Sequence, residues 1–233
     1  MNIVLIPGFW LDGASWSGVT PALARAGYAV HTPTMPGKRA GEQALTGIGL
    51  VDHVDAVVEI VDAVTSPVVL VGHSAGGAIA WAVADARPAE IARVIFVDAL
   101  PFPDGSVIDD ELAVEGDRIP LPDWSFFEAE DLVDLDDALR ERFRSVSIPE
   151  PAAVATDPQT LHDEARFTVL VTVVACGFPE AMLRQAITSG APWASELARL
   201  EQLQVIELPT GHWPQFTKPA ELGQSILTAL DGR

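Results

Sequence analysis

The chain has 233 residues, long enough to bury one sizeable core, and 48% of them are apolar, so a single packed domain over 1–233 is expected. A formal net charge of -19 offers nucleic acid no basic surface and disfavours anionic membranes and anionic substrates; a solvated acidic face is its plainest meaning. One cysteine, Cys176, excludes an internal disulfide, and the apolar run before it reads as a buried small hydrophobe. Residues 2–6 form the first apolar, β-rich run; no basic segment precedes it and Pro7-Gly8 ends it, so it reads as a strand rather than a leader. Further runs of this kind lie at 28–31, 68–71, 94–97, 169–175 and 205–208, mostly continuous rather than alternating, as in strands covered on both faces. Helical spacing falls between them at 14–26, 51–65, 76–86, 180–188 and 218–230. Alternating strands and helices predict an α/β fold, with a mainly parallel sheet of about six strands and helices on both faces. Its chemistry should collect at the carboxyl ends of the strands. No run approaches the roughly 20 apolar residues of a membrane helix, and a cytoplasmic chain without membrane contact is expected.

One connection is far longer than the others: about seventy residues separate the strands at 94–97 and 169–175, too many for a structureless loop. Residues 126–143 have helical composition and prolines punctuate the rest, which predicts an inserted, largely helical cap at about 101–166 over the active edge. Fourteen of the 33 acidic residues fall between Asp104 and Glu141.

The sequence Gly72-His73-Ser74-Ala75-Gly76 follows the strand at 68–71 and leads straight into the helix at 76–86. In a strand, sharp turn and helix, a G-x-S-x-G serine is forced to the tip with its hydroxyl exposed. Ser74 is therefore the candidate nucleophile, against the plainer reading of a helix-capping serine. A serine needs a base. His31 and His53 read as structural or surface residues, His73 points away from the serine, and His162 lies in the cap. His212, in Pro209-Thr210-Gly211-His212-Trp213, follows the last strand and shares the sheet edge of Ser74. Oxyanion donors are expected from the backbone N–H of Ala75, next after the nucleophile, and of Phe9, in the glycine turn after the first strand. Trp10, Phe102, Trp124 and Trp213, with Phe126 and Phe127, are candidates for an apolar substrate pocket, each equally able to serve as core. There is no His-x-x-x-His pair, no cysteine cluster and no glycine-rich phosphate loop after the first strand, so neither metal nor cofactor is expected.

With these motifs the chain resembles the α/β-hydrolase superfamily over essentially its whole length. Gly72–Gly76 resembles its nucleophile motif, Ile6-Pro7-Gly8-Phe9 its oxyanion loop and Gly211-His212 its catalytic-histidine loop. The opening Pro-Gly-Phe-Trp with Gly13 and Trp16 is similar to the small esterase and hydroxynitrile-lyase-like branch. Three departures stand out. Pro7 occupies the place where the oxyanion loop usually has His. The initial antiparallel hairpin is expected to be missing. The usual acid position after the strand at 169–175 falls on Pro179. Two carboxylates are left: Glu180, which suits a helix start for capping reasons alone, and Asp98, which ends an apolar strand beside the nucleophile's own and would be costly to ionise unpaired. Asp98 is the preferred partner of His212.

The resemblance implies a cofactor-independent serine hydrolase, a carboxylesterase acting through Ser74, His212 and Asp98 on a small neutral or apolar ester. Two alternatives stay open: a lyase on the same scaffold, and a non-catalytic protein that holds a small ligand in the capped pocket, a reading kept alive by the displaced acid.

Overall fold

The computed structural model describes residues 1–39, 45–65 and 67–231. Its elements in chain order are β1 (Asn2–Ile6), α1 (Thr20–Arg25), β2 (Ala29–His31), α2 (Leu50–Ala63), β3 (Val68–His73), α3 (Ala75–Ala86) and β4 (Ile91–Val97), then the insertion, which contains β5 (Arg118–Ile119), α4 (Asp137–Val146), β6 (Glu150–Pro151) and α5 (Ala152–Thr156). The chain returns to the sheet with β7 (Leu170–Ala175), α6 (Glu180–Ser189), α7 (Ser195–Arg199), β8 (Leu203–Glu207), α8 (Pro214–Thr217) and α9 (Pro219–Asp231). The main sheet is six-stranded in the order β2-β1-β3-β4-β7-β8. Every neighbouring pair in it is parallel.

Successive side chains of a strand point to opposite faces, and both faces of this sheet are covered. Ile3, Leu5, Val69, Val71, Ile95 and Val97 pack with Leu23 of α1 and Leu222 and Ile226 of α9. Val4, Ile6, Leu70, Val94, Phe96 and Val173 pack on the other side with Val57 of α2, Ile79 of α3 and Leu183 of α6. Continuous apolar runs rather than alternating ones are the result. The helix after Ser74, α3, is buried from Ala75 to Asp85, which explains why its sequence is apolar all round.

Two segments are less regular than their spacing predicts. Residues 14–26 split into a 3-10 turn at Gly13–Trp16, capped by the Asp12 side chain on the Ala14 N–H, and the short α1, because Pro21 fits only a first helical turn. In the insertion the helix expected at 126–143 begins only at Asp137, where the Asp136 carboxylate accepts from the Leu139 N–H. The acidic stretch before it instead forms turns, including Asp134 at φ 63. The antiparallel β5–β6 ladder was not expected. No described helix is long and apolar enough to cross a membrane.

Candidate active site

The strand β3 ends at His73 and α3 begins at Ala75, so Ser74 alone makes the turn, at φ 51 and ψ -124. A non-glycine residue there is strained, at a cost of order 1–3 kcal/mol. The turn is held by Ser74 N–H donating to the Val97 carbonyl at 3.2 Å and Gly77 N–H donating to the Ser74 carbonyl at 2.8 Å. Gly76 is required by closeness: a Cβ there would stand 2.6 Å from the Ile6 carbonyl oxygen and 2.7 Å from that of Pro7. That contact sets the loop after β1 directly against the start of α3.

Asp98 ends β4 in a similarly unusual conformation, φ 44. Its Oδ1 accepts the backbone N–H of Cys176 at 3.1 Å and of Gly177 at 3.0 Å, and its Oδ2 lies 2.7 Å from His212 Nδ1. A carboxylate only accepts, so Nδ1 carries the proton and Nε2 accepts from the Ser74 hydroxyl at 2.8 Å. Burial pushes the Asp98 carboxyl up, but the hydrogen bond and charge of His212, with the Gly177 and Cys176 amides, outweigh it and hold it below its ordinary value. Glu180 is far less constrained: its side chain is 40% exposed and pairs with Arg184 at 2.9 Å, one turn along α6. Of the two candidate acids, Asp98 is the one on His212.

The His212 loop is fastened from two sides. The insertion supplies carbonyls, with Gly211 N–H donating to Val133 at 3.0 Å and His212 N–H to Asp131 at 2.8 Å. Gly211 lies so close that a Cβ would stand 2.2 Å from the Asp131 oxygen. From the sheet, His73 Nε2 donates to the His212 carbonyl at 2.6 Å. His73 is fully buried, and burial together with the charge of His212 lowers its pKa to about 3, so it stays neutral. Sequence reading left His73 without a part. Its partner is 139 residues away, and no local pattern announces such a contact. The remaining histidines are apart from the site: His31 bonds Asn2, His53 is buried on the Pro36 carbonyl, and His162 is exposed. Cys176 is buried, and burial and the Asp98 charge push its thiol well up, so it behaves as the small hydrophobe expected.

Ser74 and His212 open on a cavity of about 350 Å³ lined by Phe9, Trp10, Leu100, Phe102, Phe127 and Trp213, with Asp109 and Asp131 as further acidic lining residues. Among the pocket candidates Trp124 needs correction: it does not line the cavity. Its indole lies behind it, edge-on to Phe143 at 5.6 Å and to Trp213 at 5.8 Å, contacts that consume its apolar area in docking the insertion. Leu100, Ile108 and Leu112 line the cavity without any sequence signal of doing so. Phe9 and Ala75 also line it, and neither backbone N–H donates to another described group. For Ala75 this follows from its place in the first turn of a helix, whose N–H groups lack an intrahelical partner. Among the described residues no cluster of three His, Cys, Asp or Glu side chains stands as metal ligands would.

Residues 3–224 match the model of the alpha/beta hydrolase family. The chain is 25% identical over 256 aligned residues to the pyrethroid hydrolase of Sphingobium wenxiniae, covering 99% of this chain and 88% of that protein. It is 36% identical over 102 residues to the carbendazim hydrolyzing esterase of a Nocardioides species, covering 42% of this chain and 41% of the relative. Among solved structures it superposes with a TM-score of 0.76 and 21% identity on an extracellular alpha/beta-hydrolase from a Paenibacillus species, with 98% of each chain covered, a likeness of fold.

Proposed function

The chain belongs to the alpha/beta hydrolase family, and from that membership and the contacts around Ser74 we propose that it is a cofactor-independent serine hydrolase that cleaves a small neutral or apolar carboxylic ester. The observation that carries the reading is the unbroken hydrogen-bond line Asp98–His212–Ser74 beside a mostly apolar cavity. In the reaction, Ser74 Oγ attacks the ester carbonyl carbon while its proton passes to His212 Nε2. The carbonyl oxygen, now negative, is received by the Phe9 and Ala75 amides. Collapse breaks the bond to the alkoxy oxygen, which leaves with the proton from Nε2. Water then repeats the sequence on the acyl-serine, releasing the acid and restoring Ser74. Asp98 stays ionised throughout, holding the Nδ1–H tautomer. The names of the two curated relatives, a pyrethroid hydrolase and a carbendazim hydrolyzing esterase, agree with ester-like substrates.

The test combines a fluorophosphonate probe with nitrophenyl esters of graded chain length. Wild-type protein should be labelled at Ser74 and turn over the short esters. Ser74→Ala should remain folded, take no label and lose turnover by about 10⁴-fold or more. A wild-type serine inert to the probe, with no ester turned over, overturns the reading and leaves a protein that only binds.

A further inference from the structure

Trp10 follows the proposed oxyanion residue Phe9 and sits at φ 62, a conformation bulky side chains rarely adopt. Its strained backbone is held from the insertion. The Trp10 N–H donates to Glu150 Oε2 at 3.2 Å, its carbonyl accepts from the Ile148 N–H at 2.9 Å, and its indole N–H donates to the Ile119 carbonyl at 3.2 Å. Glu150 is ion-paired with Lys38, and the two side chains are 1% and 2% exposed. Lys38 in turn donates to the Leu11 carbonyl at 2.8 Å and the Gly8 carbonyl at 3.3 Å. The other Glu150 oxygen lies 3.9 Å from His53 Nδ1. One buried pair therefore grips the turn 8–11 on both sides of Phe9 without lining the cavity itself.

Buried ion pairs are poor sources of stability, since apolar residues of like volume often serve as well or better. Here the pair's contacts point to geometry instead. We propose that Lys38 and Glu150 are positioning residues that hold the turn 8–11 in its strained form, so that the Phe9 N–H meets the oxyanion formed at Ser74. The assignment rests on the hydrolase reading above. Without the clamp the turn can relax toward ordinary backbone angles and swing the Phe9 amide away, an effect felt in the transition state rather than in substrate binding.

The single variants leave one buried charge unpaired and are at risk of misfolding. The test therefore uses the Lys38→Met/Glu150→Leu double variant, with urea unfolding, steady-state kinetics on a short nitrophenyl ester, and hydrogen exchange of the amides in 8–11. The double variant should unfold near the wild-type midpoint yet show kcat reduced by about 10²-fold with KM little changed. Its amides at 8–11 should exchange faster. Wild-type kcat and unaltered exchange in the folded double variant overturn the positioning role alone. A raised KM with unchanged kcat overturns it as well. Absence of Ser74-dependent turnover and labelling in the wild type overturns instead the hydrolase reading on which it rests.

Discussion

An ionised carboxylate at the end of an apolar strand is costly unless something pairs with it, and Asp98 has three partners: two backbone amides on Oδ1 and His212 on Oδ2. Asp98→Asn would present an amide where a pure acceptor is needed and disturb the tautomer of His212, so kcat should fall by up to about 10⁴-fold. Glu180→Gln, altering an exposed carboxylate, should turn over like wild type. A large defect confined to Glu180→Gln would show the wrong carboxylate had been assigned. This site was largely legible before the structure, because Ser74, Asp98 and His212 each interrupt or follow an apolar strand with a polar group that such a place does not otherwise need. Lys38, Glu150 and His73 were not legible. Their meaning lies wholly in partners far along the chain, such as the 140 residues between Trp10 and Glu150, and nothing local to each residue encodes that. Trp124 misled for a related reason: an aromatic near the mouth of a pocket and one packed behind it have the same sequence signature.

The elements of the sheet were readable because burial on both faces writes long apolar runs. Those of the insertion were not, because its core residues, such as Ile119, Leu135 and Phe143, are scattered singly rather than in runs, and polar contacts between distant segments complete its order. Its junction with β7 shows how. Arg166 lies between Asp85 at 3.1 Å and Glu196 at 3.3 Å, with all three side chains at most 7% exposed. Glu196 also accepts from the Trp81 indole at 2.9 Å, and Asp85 caps the amides of His162 and Asp163. This cluster binds the end of the insertion to α3 and α7. Arg166→Met would leave Asp85 buried without its cation and Glu196 with only the more distant Arg199 at 3.9 Å, and should cost about 3–5 kcal/mol of stability by urea unfolding. Since Asp85 is at the opposite end of α3 from Ser74, the kcat of the folded fraction should stay near wild type. A loss below about 1 kcal/mol, the worth of an exposed pair, would contradict the structural role given to the cluster.

For the molecule as a whole, the charge of -19 should discriminate among substrates at long range. Raising the salt shortens the Debye length from about 10 Å at 0.1 M to about 3 Å at 1 M. The kcat/KM of an anionic ester should therefore rise with ionic strength while that of a neutral analogue stays level; parallel curves for the two would remove charge from the account of specificity. Stability should fall on mild acidification. Burial lowers the pKa of His73 to about 3 and that of His53 in the same direction, from an ordinary 6.5. Between those limits the unfolded chain binds protons that the folded chain refuses, so folding weakens as pH drops below 6.5. The urea midpoint should decline between 6.5 and about 5, above the range where most carboxylates protonate. A midpoint flat across that interval would contradict the neutral, buried state of both rings. The insertion, finally, is tied to the candidate site: its carbonyls at Asp131 and Val133 hold the His212 loop, and Ile119, Ile148 and Glu150 hold Trp10. It is thus not an interchangeable module. Replacing it with a foreign cover would withdraw the supports of the proposed base and oxyanion donor along with the pocket wall, and a mutant library confined to residues 101–166 should vary catalytic rate and substrate choice together.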